Sequence, residues 1–186
     1  GIGYVPADRK TAGILPDLSV LQNITIGILD RIRRGPMIDG KQEQSVMDEY
    51  GSKLSIRYSS PAQRASNLSG GNQQKVILAR ALAEECRVFL LAEPTRGVDV
   101  GAKAEIYGLI DMLVEAGNAV LVQSSELPEL IRLANRCLVF AQGEPRGELV
   151  GLEITQPAVM ALATGLANGQ GFRYLQRETP TEEAAP

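Results

Sequence analysis

The sequence predicts an α/β fold: a mainly parallel sheet with helices on its faces, carrying a helical subdomain. Two observations predict it. From the Ser59-Ser60-Pro61 break to about residue 150, apolar runs of strand length alternate with longer runs of helical periodicity, the order that a parallel sheet with crossover helices requires. Ahead of that alternation, 39–54 is polar with a single apolar stripe, the mark of a surface helix.

The chain opens in Gly1-Ile2-Gly3-Tyr4-Val5-Pro6, the end of a strand broken by proline. In 19–29, Val20, Ile24 and Ile28 fall on one helical face, so a short helix is expected. Gly35-Pro36 marks a boundary, after which Val46, Met47, Tyr50 and Leu54 are spaced as the buried stripe of the next helix. Helices are then expected over 69–83, 100–115 and 127–134, with strands over 87–91, 118–123 and 137–141. The last strand runs into a Gln142-Gly143 turn. Four segments follow: 1–18, a strand end and the loop after it; 19–83, a helical subdomain; 84–167, the later part of an α/β core; and 168–186, a Gly-, Pro- and Glu-rich tail expected to be disordered. There is no internal repeat.

A length of 186 residues with 44% hydrophobic composition suffices for one compact core or a large part of one domain. The net charge of -3, with acidic and basic residues interspersed, leaves no basic stripe for nucleic acid. Cys86 and Cys137 lack the spacing of a metal site or a disulfide framework and are expected to be buried, reduced thiols. No signal peptide opens the chain and no apolar run approaches the ~20 residues of a membrane span. The expected setting is the cytosol, with any membrane association made through another subunit.

Two motifs carry the chemistry. Leu68 to Lys75 read L-S-G-G-N-Q-Q-K, and Glu93 to Asp99 read E-P-T-R-G-V-D. A helix N-terminus presents unpaired amides and a partial positive charge, and glycines there admit an anion close to the backbone. Ser69, Gly70 and Gly71 are therefore candidate phosphate contacts, against the plainer alternative of an N-cap serine and two turn glycines. Asp99, just before an amphipathic run, is equally a helix cap. Arg96 is left open between a phosphate and an interface carboxylate. Arg9 and Lys10 read as solvated loop charges.

Together these residues resemble the signature and D-loop of an ABC-type ATPase. N-Q-Q-K after the glycines and T-R-G-V-D-V-G-A-K at 95–103 are similar to the second cassette of sugar-import ATPases, the ribose, galactoside and xylose group. The resemblance implies a P-loop NTPase-like cassette. The sequence holds no G-x-x-x-x-G-K-[ST] stretch, the Walker A half of such a cassette, so it is expected to be the C-terminal part of one, preceded by more sequence in the native product.

The resemblance also implies a composite ATP site. Ser69, Gly70, Gly71, Asn72, Gln73 and Asp99 would close over a nucleotide held by a partner cassette, with Mg2+ at the same site. Glu93 takes the place of the carboxylate that polarises the attacking water. Ser125 stands where many cassettes have a histidine, and its hydroxyl donates one hydrogen bond without positive charge. Ala92 stands where the family has a metal-binding aspartate; its methyl group offers a hard cation no oxygen, so no residue is assigned as a metal ligand. Ala7 replaces the usual polar residue after Y-V-P, with Asp8 as a partial substitute.

Further partners implied are transmembrane permease subunits and, indirectly, a sugar-binding protein, which places the chain peripherally on the cytoplasmic face of the membrane. By itself it is expected neither to bind Mg-ATP tightly nor to hydrolyse it. Two other readings stay open: a catalytically silent assembly cassette or decayed fragment, and a soluble ABC ATPase of DNA repair or translation. The absence of a long heptad segment and of a basic stripe speaks against the last.

Overall fold

The computed structural model describes residues 1–166, so the expectation of a disordered tail from 168 lies outside the described residues. These residues divide into two compact units, one of Gly1–Ser125 and a second beginning at Glu126.

The first unit is built on a three-stranded parallel sheet of order β1-β4-β5, with β1 at Ile2–Val5, β4 at Val88–Ala92 and β5 at Ala119–Gln123. Ile2 pairs with Val88 and Val88 with Ala119, and the rows from Ile2 to Val5 cross all three strands. After β1, Asp8 caps one wide helical turn, Arg9–Gly13. Helix α1, Val20–Thr25, starts in a capping box between Ser19 and Gln22 and runs into a 3-10 turn, Ile26–Ile28. The predicted stripe is present, since Val20, Ile24 and Ile28 are all buried. A two-stranded antiparallel ribbon, β2 (Arg33–Arg34) and β3 (Met37–Ile38), leads to helix α2, Gly40–Lys53, which is capped by Asp39 and buries Met47.

Helix α3, Gly70–Ala83, is the spine of this unit. It packs against α1, α2, β1 and the next helix, α4 (Val100–Glu115), so ten of its residues are buried and its apolar positions go almost all round. Two arginines and an asparagine fix the neighbouring loop to it. The Arg80 guanidinium donates to the Gly13 carbonyl at 2.9 Å, the Asn23 carbonyl at 2.7 Å and the Asn23 Oδ1 at 2.8 Å. Asn23, fully buried, holds Leu15 through both its backbone groups. Arg31 reaches the Ala83 carbonyl at 2.8 Å and closes the far end of the helix. The stripe of α4 is Ile106, Ile110 and Leu113, all buried.

One sheet face is covered, with Val5, Phe89 and Leu91 buried; the other is open, with Ile2 67%, Tyr4 62% and Leu121 61% exposed. The predicted apolar strand at 118–123 thus forms, but as an edge strand with one uncovered side.

The second unit contains α5, Leu127–Leu133, an antiparallel hairpin of β6 (Arg136–Ala141) and β7 (Glu144–Val150), and α6, Gln156–Thr164. Here the sequence expectation is corrected. The strand at 137–141 does not extend the parallel sheet; it pairs antiparallel with β7, a strand that was not anticipated. Gln142 and Gly143 both have positive φ, 57° and 78°, which is the geometry of a two-residue type I′ turn and reverses the chain at once. The core of this unit is Cys137, Val139, Ile154, Val159 and Leu162. Both cysteines are buried and unpaired, and burial raises the pKa of each thiol.

Candidate active site

Ser69 is the N-cap of α3. Its Oγ accepts from the Asn72 amide at 3.4 Å and from Asn72 Nδ2 at 2.9 Å. The Gly70 and Gly71 amides are the orphan donors of the helix start, directed out of its N-terminal end. A side chain at either glycine would force a neighbour to shift. A Cβ on Gly70 would stand 2.5 Å from Arg9 Nη2 and 3.0 Å from the Gly97 carbonyl; one on Gly71 would stand 2.9 Å from the Ala102 Cβ. Gly71 thus lets α3 pack closely on the first turn of α4, and Gly70 leaves room for Arg9 and the turn ahead of α4.

Asp99 caps α4, accepting from the Ala102 amide at 2.9 Å. Ser69, Gly71, Asn72, Asp99, Gly101 and Lys75 line one cleft of about 230 Å³, which Arg57 and Glu105 complete. Of the predicted nucleotide contacts, Gln73 stands apart. It is buried, and its Nε2 donates to the carbonyls of Ala65 and Leu68, each at 3.3 Å, where it fixes the loop ahead of the signature. The Asn72 side chain is also engaged internally, between Ser69 and the Arg57 amide at 2.8 Å.

Sequence reasoning missed the wall of this cleft. Lys75, 2% exposed, donates to Glu105 Oε2 at 2.7 Å and to the Ser55 carbonyl at 3.0 Å. Arg57 reaches the same carboxylate at 3.3 Å. The Lys75 hydrogen bond, followed by its charge, holds the Glu105 carboxyl below its ordinary pKa. The partners lie 20 to 48 residues apart, a separation that no local pattern signals.

Glu93 follows the last residue of β4 with a left-handed backbone, φ 48°, the special conformation that functional turns concentrate. Its Oε1 accepts from the Ser125 amide at 2.9 Å and from Gln123 Nε2 at 3.1 Å, and its Oε2 accepts from Ser125 Oγ at 3.2 Å. The two residues named as catalytic from sequence are therefore in contact across the ends of β4 and β5. A carboxylate offers about four acceptor positions, so three donors fix its orientation and leave one for a water.

The metal fits this chain poorly. Ala92 brings a methyl group to the strand end, and among the described residues no three His, Cys, Asp or Glu side chains cluster. No catalytic step through a metal follows from these residues. A phosphate fits better, on the amides of Gly70 and Gly71 beside the exposed Ser69 hydroxyl.

Arg9 differs from its sequence reading. It is not a solvated loop charge: Nη1 donates to the Arg96 carbonyl and Nη2 to the Gly97 carbonyl at 2.9 Å. Its neighbour Asp8 accepts from the amides of Lys10 and Thr11, and the hydrogen bonds from Thr11, more than the nearby Arg96 charge, lower its carboxyl pKa.

The ABC transporter family profile matches residues 1–96. A ribose/galactose/methyl galactoside import ATP-binding protein of Burkholderia ambifaria is 45% identical over 165 residues, covering 88% of this chain and 32% of that protein. A xylose import ATP-binding protein of Burkholderia cenocepacia is 48% identical over 163 residues, 88% of this chain and 31% of that protein. The chain thus spans about a third of the length of these relatives. Among solved structures, a dimeric ATP-binding cassette in a post-hydrolysis state with ADP and Pi is 26% identical, with a TM-score of 0.65 over 80% of this chain and 62% of that one. A nucleotide-free cassette reaches a TM-score of 0.71 at 19% identity, over 86% of this chain and 65% of that one. A profile match over just over half of the chain, on the fold of an ATP-binding cassette, places this protein in the ABC transporter family.

Proposed function

We propose that this chain is part of the ATP-binding subunit of an importer for simple sugars, and that it lends two helix starts to an ATP site completed by a second cassette. The observation that carries this reading is the convergence of Ser69, Gly71 and Asp99 on one cleft. Two helix N-termini there offer amides to an anion. The named relatives, sugar-import ATP-binding proteins, supply the substrate class. The remaining partners are then permease subunits, which place the chain at the cytoplasmic face of the membrane, and indirectly a sugar-binding protein.

Glu93 does not line that cleft. In this reading it belongs to this chain's own site at the ends of β4 and β5, where it accepts a proton from an attacking water if one is brought there with a γ-phosphate, with Ser125 and Gln123 holding its carboxylate in place. Mg2+ is held with the nucleotide, by ligands that Ala92 does not provide. A Gly71→Asp change puts a negative charge where phosphate is to bind and abolishes ATP turnover of the assembled transporter. Gly71→Ala, which carries the collision with Ala102 without the charge, retains part of it. Unchanged turnover in the aspartate variant would remove the assignment.

A second reading, a cassette that keeps the interface but not the chemistry, is favoured by Ala92. The two separate on Glu93→Gln in the assembled ATPase: loss of about a hundredfold or more in turnover supports chemistry at this strand end, and full turnover supports the silent cassette.

A further inference from the structure

Arg9 has no part in the site described above, yet it touches two of the segments that form it. Its fork takes two consecutive carbonyls, those of Arg96 and Gly97, in the turn that leads to Asp99. The same fork lies against the first residue of α3, since Nη2, which holds the Gly97 carbonyl, is also the atom that a Gly70 side chain would strike. Its Nε is buried and has no acceptor. The two carbonyl acceptors and the close approach to Gly70 are the marks of a side chain fixed in place, not of a surface charge.

Within the turn, the Arg96 amide donates to the Glu93 carbonyl at 3.0 Å and the Val98 amide to the Thr95 carbonyl at 3.1 Å, and the carbonyls of Arg96 and Gly97 are the ones that Arg9 takes. Gly97 has φ of +64°, which faces two successive carbonyls toward one donor group. A planar guanidinium satisfies both at a fixed angle from two nitrogens, whereas an ammonium has a single nitrogen and no fixed fork to offer them. Arg9 belongs to the wide turn Arg9–Gly13, whose last carbonyl is gripped by Arg80 of α3 at 2.9 Å. The turn is therefore tied to α3 at one end and to the approach to Asp99 at the other.

We infer that Arg9 is a positioning residue, which sets the distance between the amides at the start of α3 and Asp99 so that both address the same nucleotide. The inference rests on the composite-site reading above. Arg9 touches no reacting atom; it acts through the turn that it holds.

The test is steady-state ATP turnover of the assembled transporter carrying Arg9→Ala or Arg9→Lys, with thermal unfolding of each variant and Gly71→Asp as the reference. The expected result is a fall in kcat of about ten- to a hundredfold in both variants, with KM for ATP changed less than about threefold, because a displacement of about 1 Å costs this much when geometry is the contribution. Millimolar guanidinium ion should restore turnover to Arg9→Ala and leave Arg9→Lys unmoved, a response that a general packing defect would not show. If Arg9→Ala fails to fold, the kcat and KM of Arg9→Lys decide. Turnover within about twofold of the parent in a folded variant, or a loss in Arg9→Ala that guanidinium does not relieve, overturns the inference. Should Gly71→Asp abolish turnover while both Arg9 variants keep it, the positioning role alone fails; should Gly71→Asp leave turnover whole, the site reading fails and the inference with it.

Discussion

Gly71 and Glu105 both line the cleft and answer to different forces. At Gly71 the force is contact: a Cβ there would meet Ala102 at 2.9 Å, so Gly71→Ala should cost about 1 to 3 kcal/mol of stability, read by denaturant unfolding. At Glu105 it is charge. The Lys75 hydrogen bond lowers the folded-state pKa of this carboxyl below its ordinary 4.5. The pair's stabilisation is therefore fully present above about pH 4.5 and is lost as pH falls through the lower, folded-state value. Tm measured against pH should drop on the acid side in the parent and flatten in Glu105→Gln; equal profiles would contradict this. What could be read at this scale beforehand was local. Asp39, Ser69 and Asp99 each precede a helical pattern and each caps it, because a cap bonds only two or three residues ahead. Lys75, Arg57 and Arg9 were not legible in these roles, since their partners are 20 to 88 residues away.

The helices were legible as elements because their stripes are long: the pattern over 100–115 matches α4 end to end, and that over 69–83 matches α3 with its cap. The hairpin was harder. The Gln142-Gly143 turn was visible, but Pro145, Arg146 and Gly147 are poor strand formers, so β7 had no sequence signal of its own. Its pairing with β6 comes from the positive φ of both turn residues, which fixes the register. Helix α2 depends on one buried side chain at its centre, Met47, which is fully buried. Met47→Ala should cost about 2 to 5 kcal/mol by denaturant unfolding, whereas Val46→Ala, on the half-buried flank, should cost less.

Across the first unit, the sheet has one covered face and one open face, and the open face carries Ile2, Tyr4 and Leu121 in adjoining rows. Apolar area of this kind associates when nothing covers it. The 186-residue chain should accordingly show concentration-dependent self-association in sedimentation, reduced by Leu121→Lys; a monomer at all concentrations would contradict this account of the face. The fold class was legible from the alternation of periods, whereas the proposal of a composite site draws on the resemblance of the L-S-G-G and E-P-T-R-G-V-D motifs to a family. The most direct measurement is the structure of the assembled ATPase with a non-hydrolysable ATP analogue. The account predicts a terminal phosphate oxygen within about 3.2 Å of the Gly71 amide, with the nucleotide's phosphates held by the partner cassette. A nucleotide whose phosphates lie away from the start of α3 would contradict it.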